Sequence, residues 1–497
     1  MRIASSPFAI PVVVLVLALS ALTTLSAMSW PVPARASSAA VPALDGSAAA
    51  YVDDYAQRHG LPGVAYAVLK DGATVTVGAA GDVTADTPMA VASVSKAITA
   101  FAVLQLVDRG SVDLDAPVTD YLPLFSVRGT DPDGITVRRL LDHTSGLPNP
   151  MIVPSAGTLA GDVGHIADLT VASTPGTTYL YSNLNYRTLA YLVEVVSGEA
   201  FDDYLRSEIF APLGMHDTFS VISATDFAVF DRGHVTAYGT SVRIPEMARD
   251  IGGSGGVVST ASDLGRWMEM QQRGGVAAGG ERLLSARLVE ESHTVQPNAG
   301  TYGLGWQHTS TAEPPRVGHD GALTRSSARI DLVPSSGYGV VVLLDSYTPT
   351  FQHAFELSTG LVELTEGRVP DPGAPIPTII DVSLAALTAL AIALGTRGAL
   401  RSRRWARARA GLPVWRFVLR QLPQAVMPAL AGTLFLGLTA GPDNPATPVD
   451  AFGLWPAATT LLLAGGAVGV VLITLRTVRY ISARKTPPGA QTARLAR

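Results

Sequence analysis

Three apolar runs crowd the last quarter of this 497-residue chain: Ile376 to Leu394, Leu422 to Ala440 and Phe452 to Leu475. Each is close to the ~20 residues a helix needs to cross a bilayer. Inside hydrocarbon a backbone has to satisfy its own polar groups, so runs of this kind are committed to helix. Composition agrees: 15% charged and 47% apolar residues are low and high for a chain living wholly in water. The stretch 397–420 holds eight arginines, the stretch from Gly441 to Asp450 two acids and no base, and the tail 476–497 five arginines and a lysine. The positive-inside bias then puts 397–420 and 476–497 in the cytoplasm. Whatever precedes the first run lies on the outer side of a cell membrane, in a multi-pass arrangement of spans 376–394, 422–440 and 452–475.

The N-terminus points the same way. Arg2 precedes an apolar run from Phe8 to about Leu25, and Ala34-Arg35-Ala36 offers a small-x-small cleavage site, so 1–36 reads as a signal peptide or an N-terminal anchor. From Arg397 onward the chain carries a net +12, leaving -17 for the first 396 residues out of a total of -5. An acidic outer part beside a basic inner part argues for membrane topology and against nucleic acid as a partner. Cysteine is absent, which excludes a disulfide, a thiolate nucleophile and a Cys-ligated metal.

Residues 37–373 read as the exported globular domain. Val64 to Leu69 and Ala73 to Val77 are β-rich and joined at Asp71-Gly72, a type I′ hairpin signal. A second β-rich set comprises Gly303 to His308, Ser327 to Val333 and Tyr338 to Leu344. Helical stretches lie between them, among them Ala97 to Val107, closed by Gly110, and Leu184 to Val196, closed by Gly198. The expected fold is α/β: an antiparallel sheet built from both ends of the domain and flanked by helices, plus an all-helical lobe, with a cleft where the two meet. Three transmembrane helices follow.

Lysine is nearly missing. Lys70, Lys96 and Lys485 stand against thirty-three arginines. A lysine kept against that bias invites a question, because lysine can shed its proton near neutral pH and arginine cannot. Lys96 closes Ser93-Val94-Ser95-Lys96, which puts Ser93 at a helix N-terminus with the amine one turn on. A serine hydroxyl is a poor nucleophile until a base accepts its proton, and a desolvated lysine can be that base. Taken alone the pattern is weak, and Ser93 as a helix cap with Lys96 on the surface is the readier account of it. Further along, Tyr181-Ser182-Asn183 opens a helix: the phenol can relay a proton, and Asn183 can hold a substrate carbonyl or the lysine. At His319-Asp320-Gly321-Ala322 the glycine lets the backbone pass close to a ligand, and the Ala322 N–H can serve as an oxyanion donor with that of Ser93. His143 and His216 lie in turn-like segments without a ligand partner at i+4, so no metal is expected. Gly253-Ser254-Gly255-Gly256 lacks the lysine of a phosphate loop.

In order and company these motifs resemble the class C β-lactamase and D-alanyl-D-alanine carboxypeptidase superfamily of serine hydrolases, the penicillin-recognising enzymes. Leu140 to Pro148, Pro212 to Met215 and Gly255 to Thr260 share the family look, and the resemblance covers roughly Ala48 to Leu364. It implies Ser93 as nucleophile, Lys96 and Tyr181 as the other catalytic residues, Asn183, His319, Gly321 and Ala322 as substrate-binding and oxyanion residues, and no cofactor. His319 stands where lactamases usually carry lysine, which favours the family's esterases and D-amino-acid peptidases. Arg325 falls near the mouth of the cleft, either as a substrate contact or as an exposed strand-end arginine.

An exported hydrolase followed by three spans is similar in architecture to the colibactin-maturing D-asparagine peptidase type, which removes an N-acyl-D-asparagine leader during export. The resulting expectation is a membrane-anchored serine hydrolase, a peptidase or amidohydrolase, that works through an acyl-enzyme on D-amino-acid-containing or N-acyl peptide substrates, with prodrug cleavage among the possible roles. The alternatives are an esterase on the same machinery and a penicillin-type sensor without turnover. The expected partners are a small peptide or N-acyl-amino-acid substrate and the lipid bilayer; the sequence leaves oligomeric state open.

Overall fold

The computed structural model describes residues 44–150, 156–224, 226, 233–439 and 447–485. The export segment read at 1–36 lies outside them. The chain divides into two compact units, one holding Val41–Ile380 with Thr439–Trp455, the other holding 381–438 and Pro456 onward.

In the first unit, helix α1 (Leu44–His59) leads into strands β1 (Gly63–Lys70) and β2 (Ala73–Gly81). Asp71 and Gly72 both take positive φ, 49° and 79°, as the type I′ turn between them requires. Helix α2 (Ser95–Asp108) and helix α3 (Asn183–Ser197) pack together within a set of short helices. Helix α4 (Ala261–Gln272) follows, then strands β3 (Gln307–Thr309), β4 (Arg316–Ala322), β5 (Ser327–Val333) and β6 (Tyr338–Leu344), and helix α5 (His353–Thr365). The main sheet runs β2-β1-β6-β5-β4-β3, every neighbour antiparallel. Both chain ends of the domain thus build one sheet, and the result is a mixed α/β fold of antiparallel sheets and helices.

Strand β1 is buried on both faces, which is why it reads as an unbroken apolar run. Val64, Tyr66 and Val68 join Val52 and Tyr55 of α1 and Leu357 and Leu361 of α5 in one core. Ala65, Ala67 and Leu69 point the other way, into the larger core with Phe101 of α2 and Trp267 of α4. Two small three-stranded sheets, one pairing Met89–Ala90 and Phe219–Ser220 with Val257–Ser259, complete the unit.

One strand expectation needs correction, and one strand carries no local pattern. In place of the run Gly303 to His308 the strand is Gln307–Thr309, because Gly305 at φ 85° presses its backbone on α2, where a Cβ would stand 2.6 Å from that of Ala100. Arg316–Ala322 is a full strand although its Gly, His and Asp content hides it.

The second unit departs from the three expected spans. Among the described residues two helices are long and apolar enough to cross a membrane, α6 (Ile376–Arg407) and α8 (Pro456–Lys485). The third, α7 (Leu422–Thr439), has its apolar stretch in Leu422–Gly437, about 24 Å at 1.5 Å per residue and so short of a ~30 Å core. Pro428 interrupts its hydrogen-bond ladder. Helix α6 continues through Arg407 into the segment read as a loop, since Ala, Leu and Arg all favour helix. Within the unit small residues set the packing: a Cβ on Gly395 would meet Val468 at 2.3 Å, and one on Gly469 would meet Pro428 at 2.8 Å.

Candidate active site

Ser93 sits in a 3₁₀ turn, Ala92–Val94, immediately before α2. Ala92 holds φ 51°, a left-handed conformation that costs a non-glycine residue roughly 1–2 kcal/mol. The turn is fastened from both sides. Val91 N–H donates to Val257 O at 3.0 Å, and Val257 N–H donates to Ser95 Oγ at 3.0 Å. Gly321 closes the other side: a Cβ there would lie 2.2 Å from Val91 O and 3.1 Å from Ser93 N. The glycine is therefore needed for strand β4 to run against the serine's own turn, where the sequence had suggested a close approach to ligand.

Lys96, on the first turn of α2, is wholly buried. Its Nζ donates to Ser93 Oγ at 2.9 Å and to Ser254 O at 2.6 Å. Burial drives its pKa well below the ordinary lysine value, and the negative charge of Asp320 only partly opposes this. The Ser254 carbonyl belongs to the Gly253–Gly256 run, which threads between helices. Thr99 Oγ1 donates to Gly253 O at 2.7 Å, while a Cβ on Gly253 would strike Tyr186 O at 2.4 Å. A run that resembles a failed phosphate loop is here the carbonyl wall behind the lysine.

Tyr181 precedes α3, whose N-cap Ser182 accepts from Leu184 N–H. The Tyr181 hydroxyl donates to Ser93 Oγ at 2.9 Å. Burial is the main reason its pKa is raised, and the hydrogen bond to Ser93 offsets only part of that, so the phenol keeps its proton across the physiological range. Beneath it lies His143, its ring centroid 4.4 Å from that of Tyr181. His143 Nδ1 accepts from Ser182 N–H at 3.2 Å and stands 2.9 Å from Asn185 Nδ2. Burial above all holds its pKa well below normal, so the ring is neutral. Sequence reading gave no hint that His143 seats the tyrosine.

Ser93 opens on a small cleft, about 70 Å³, lined by Asn149, Asn183, Arg187, Arg249, Ser254 and Ala322 among others. Four predicted residues, Ser93, Lys96, Tyr181 and Asn183, come together here, and Ala322 shares the wall. His319 does not line it. It is buried, its Nε2 is 2.7 Å from the Tyr302 hydroxyl and its Nδ1 2.6 Å from Asp320 O, and burial above all pushes its pKa down to about 4. Arg325 fits neither expectation. It is 2% exposed, and its Nε donates to Ile244 O and Pro245 O at 3.1 and 3.2 Å. Sequence reasoning missed Arg187, Arg249 and Tyr302; Arg187, one helical turn after Asn183, carried the only usable signal. Among the described residues no three His, Asp or Glu gather to hold a metal ion.

The sequence model of the β-lactamase family matches residues 48–358. Penicillin-binding protein 4 of Amycolatopsis lactamdurans is 33% identical over 357 residues, spanning 66% of this chain and 92% of that protein. The unguisins hydrolase ungD' of Aspergillus campestris is 27% identical over 328 residues, 60% of this chain and 61% of its own length. Two solved structures share the fold. The octameric penicillin-binding protein homologue from Pyrococcus abyssi has a TM-score of 0.57 at 22% identity, covering 66% of this chain and 79% of that one. The D-amino acid amidase from Ochrobactrum anthropi SV3 has a TM-score of 0.56 at 23% identity, covering 65% and 99%.

Proposed function

Since this chain belongs to the β-lactamase family of serine hydrolases, we propose that it is a membrane-anchored peptidase or amidohydrolase that works through an acyl-enzyme at Ser93, outside the cell. The observation that carries the reading is that Ser93 Oγ receives hydrogen bonds from both Lys96 Nζ and Tyr181 OH, each at 2.9 Å.

Neutral Lys96 takes the Ser93 proton as Oγ bonds to the substrate's acyl carbon. The carbonyl electrons move onto oxygen, which the N–H groups of Ser93 and Ala322 receive. As the intermediate collapses, the scissile C–N bond breaks and the proton reaches the leaving amine through the Tyr181 hydroxyl, which is re-protonated from Lys96. Water then repeats the sequence to release the acid. Lysine is the base and tyrosine the relay because burial shifts the two pKa values in opposite senses, down for Lys96 and up for Tyr181. Asn183, on the cleft wall, is suited to hold the substrate amide.

The resemblance at His319 favours the family's esterases and D-amino-acid peptidases alike, and the reading takes D-amino-acid-containing or N-acyl peptides as the substrates. Membrane anchoring draws on two helices of spanning length and on the arginine-rich segments beside them. The test is covalent labelling by a fluorophosphonate followed by turnover of a panel of N-acyl-D-aminoacyl amides, D-Ala-D-Ala peptides, short esters and a cephalosporin. The reading expects labelling lost in Ser93→Ala and multiple turnovers on an amide. Labelling that survives Ser93→Ala, or a single burst with every substrate, overturns it.

A further inference from the structure

The second unit is charged in one sense only. Its residues hold eight arginines in 397–420 and six Lys and Arg in 476–497, and its single acid, Asp381, lies near the opposite end of α6. Cations at the basic end therefore have no carboxylate of their own unit to pair with. Lys485, one of only three lysines in the chain, is the last residue of α8.

Between the end of α8 and the short helix Val414–Leu419 lies a groove of about 590 Å³. Val414, Phe417 and Val418 make one wall. The other is a single stripe of α8, Ile473, Thr477, Tyr480 and Ile481, at the spacing of one helix face. The walls are fixed to each other: the Phe417 and Tyr480 rings stack with centroids 4.1 Å apart, and the Tyr480 hydroxyl donates to Leu412 O at 2.8 Å. Val414, Val418 and Ile481 are about half-exposed, an apolar lining that water serves badly. Arg484 and Lys485 line the end of the groove. Arg484 Nη1 donates to Tyr480 OH at 2.9 Å, so its guanidinium is turned back one helical turn toward the bilayer. That sets the charge about 7.5 Å beyond Leu475, the last residue of the apolar run, which is headgroup depth.

We propose that this groove holds one anionic phospholipid of the cytoplasmic leaflet, with an acyl chain along the apolar stripe and the phosphate between Arg484 and Lys485. Charge complementarity decides the occupant. A zwitterionic lipid brings its own cation beside the phosphate and cancels most of the gain, and a second copy of this unit would bring a like charge to the same place. Free phosphate would meet the cations and leave the walls in water. Arginine forks onto phosphate oxygens and lysine adds a point charge, and basic pockets between helices on the inner side suit acidic headgroups. The proposal rests on the membrane-anchored reading, and the experiment separates the two claims.

Full-length protein is first partitioned between water and a detergent phase; recovery in water overturns the membrane reading and the lipid site with it. Delipidated protein in detergent is then titrated with palmitoyl-oleoyl-phosphatidylglycerol, with the phosphatidylcholine of the same chains, and with inorganic phosphate, and bound molecules are counted by native mass spectrometry. Wild type is expected to bind one phosphatidylglycerol about tenfold or more tighter than phosphatidylcholine, the order given by two basic residues at an anionic headgroup. The double variant Arg484→Gln/Lys485→Gln is expected to lose that preference and Lys485→Arg to keep it. Thr477→Trp, which fills the groove, is expected to weaken both lipids. Arg403→Gln/Arg404→Gln, exposed on α6 and outside the groove, is expected to keep the preference. The site is overturned by no preference in wild type, by a preference that survives Arg484→Gln/Lys485→Gln, or by equal loss in Arg403→Gln/Arg404→Gln. Undiminished binding in Thr477→Trp, inorganic phosphate binding as tightly as the lipid, or a dimer that Thr477→Trp breaks overturns it as well.

Discussion

Lys96 Nζ stands 2.9 Å from Ser93 Oγ while the lysine is wholly shut off from solvent. The pair therefore works only if the amine can exist without its proton, which burial favours and arginine cannot imitate. Lys96→Arg is expected to be as damaging as Lys96→Ala, each lowering the acylation rate by about 10²–10⁴-fold, the range for loss of a general base. Stopped-flow acylation of the two variants decides it; an arginine variant within tenfold of wild type contradicts the assignment.

The same burial makes stability depend on pH with a definite sign. In the folded protein the Lys96 pKa lies well below its ordinary 10.5, so between those two values the unfolded chain binds a proton that the folded chain does not. Stability therefore rises with pH across that window, is fully present above the ordinary lysine value, and is lost as pH falls toward the folded one. Wild type should gain up to ~1.4 kcal/mol per pH unit relative to Lys96→Met inside the window. Chemical denaturation of both proteins at pH 7, 8 and 9 measures the slope; a flat difference means that the buried lysine is charged.

Gly321 makes a prediction that is purely steric. A methyl group there would stand 2.2 Å from Val91 O and 3.1 Å from Ser93 N, and both atoms belong to backbone that cannot swing aside. Gly321→Ala should cost roughly 1–3 kcal/mol of stability, as overpacking does, and should displace the serine's N–H. The acylation rate is expected to fall about 10²-fold, the cost of losing one oxyanion donor, while KM changes little. A variant with normal kcat removes this N–H from the mechanism.

The sequence announced what depends on local pattern and was silent where distant segments meet. Ser93, Lys96, Tyr181 and Asn183 stood out through the order and company of their motifs, which is a resemblance to a family, and each lies at or just before the start of a helix. Strands β1, β2, β5 and β6 were legible because their turns, Asp71-Gly72 and Ser335-Ser336-Gly337, are written in residues that favour turns. Strand β4 was hidden because it contacts Ser93's turn through glycine, a residue that signals no strand. Ser254 acts through its backbone carbonyl, so side-chain chemistry could not single it out. Arg249 reaches the cleft only through tertiary packing. The second apolar run shows the opposite failure: hydropathy counted Leu422 to Ala440 as a full span, whereas the apolar stretch described there, Leu422–Gly437, is shorter than a ~30 Å core.

Sidedness is the last consequence that can be tested, and the absence of cysteine makes the test free of background. If the arginine-rich end of α6 faces the cytoplasm and the hydrolase unit faces outward, a cysteine at Leu124, 96% exposed on that unit, should react with a membrane-impermeant maleimide in intact cells. A cysteine at Arg403, exposed near the basic end of α6, should react only after permeabilisation. The expectation depends on charge more than on helix count, because the positive-inside bias weighs Lys and Arg within short loops. Helix α7 has to carry the chain back outward for the segment after it, with local thinning of the bilayer to match its ~24 Å apolar stretch. A cysteine at Val449, exposed in the helix Pro448–Gly453, should side with Leu124, because that segment packs within the hydrolase unit, where Arg325 donates to Gly453 O. Should Val449 side with Arg403 instead, the chain would cross the bilayer a different number of times, and the docking of Gly453 on Arg325 could not hold in the cell.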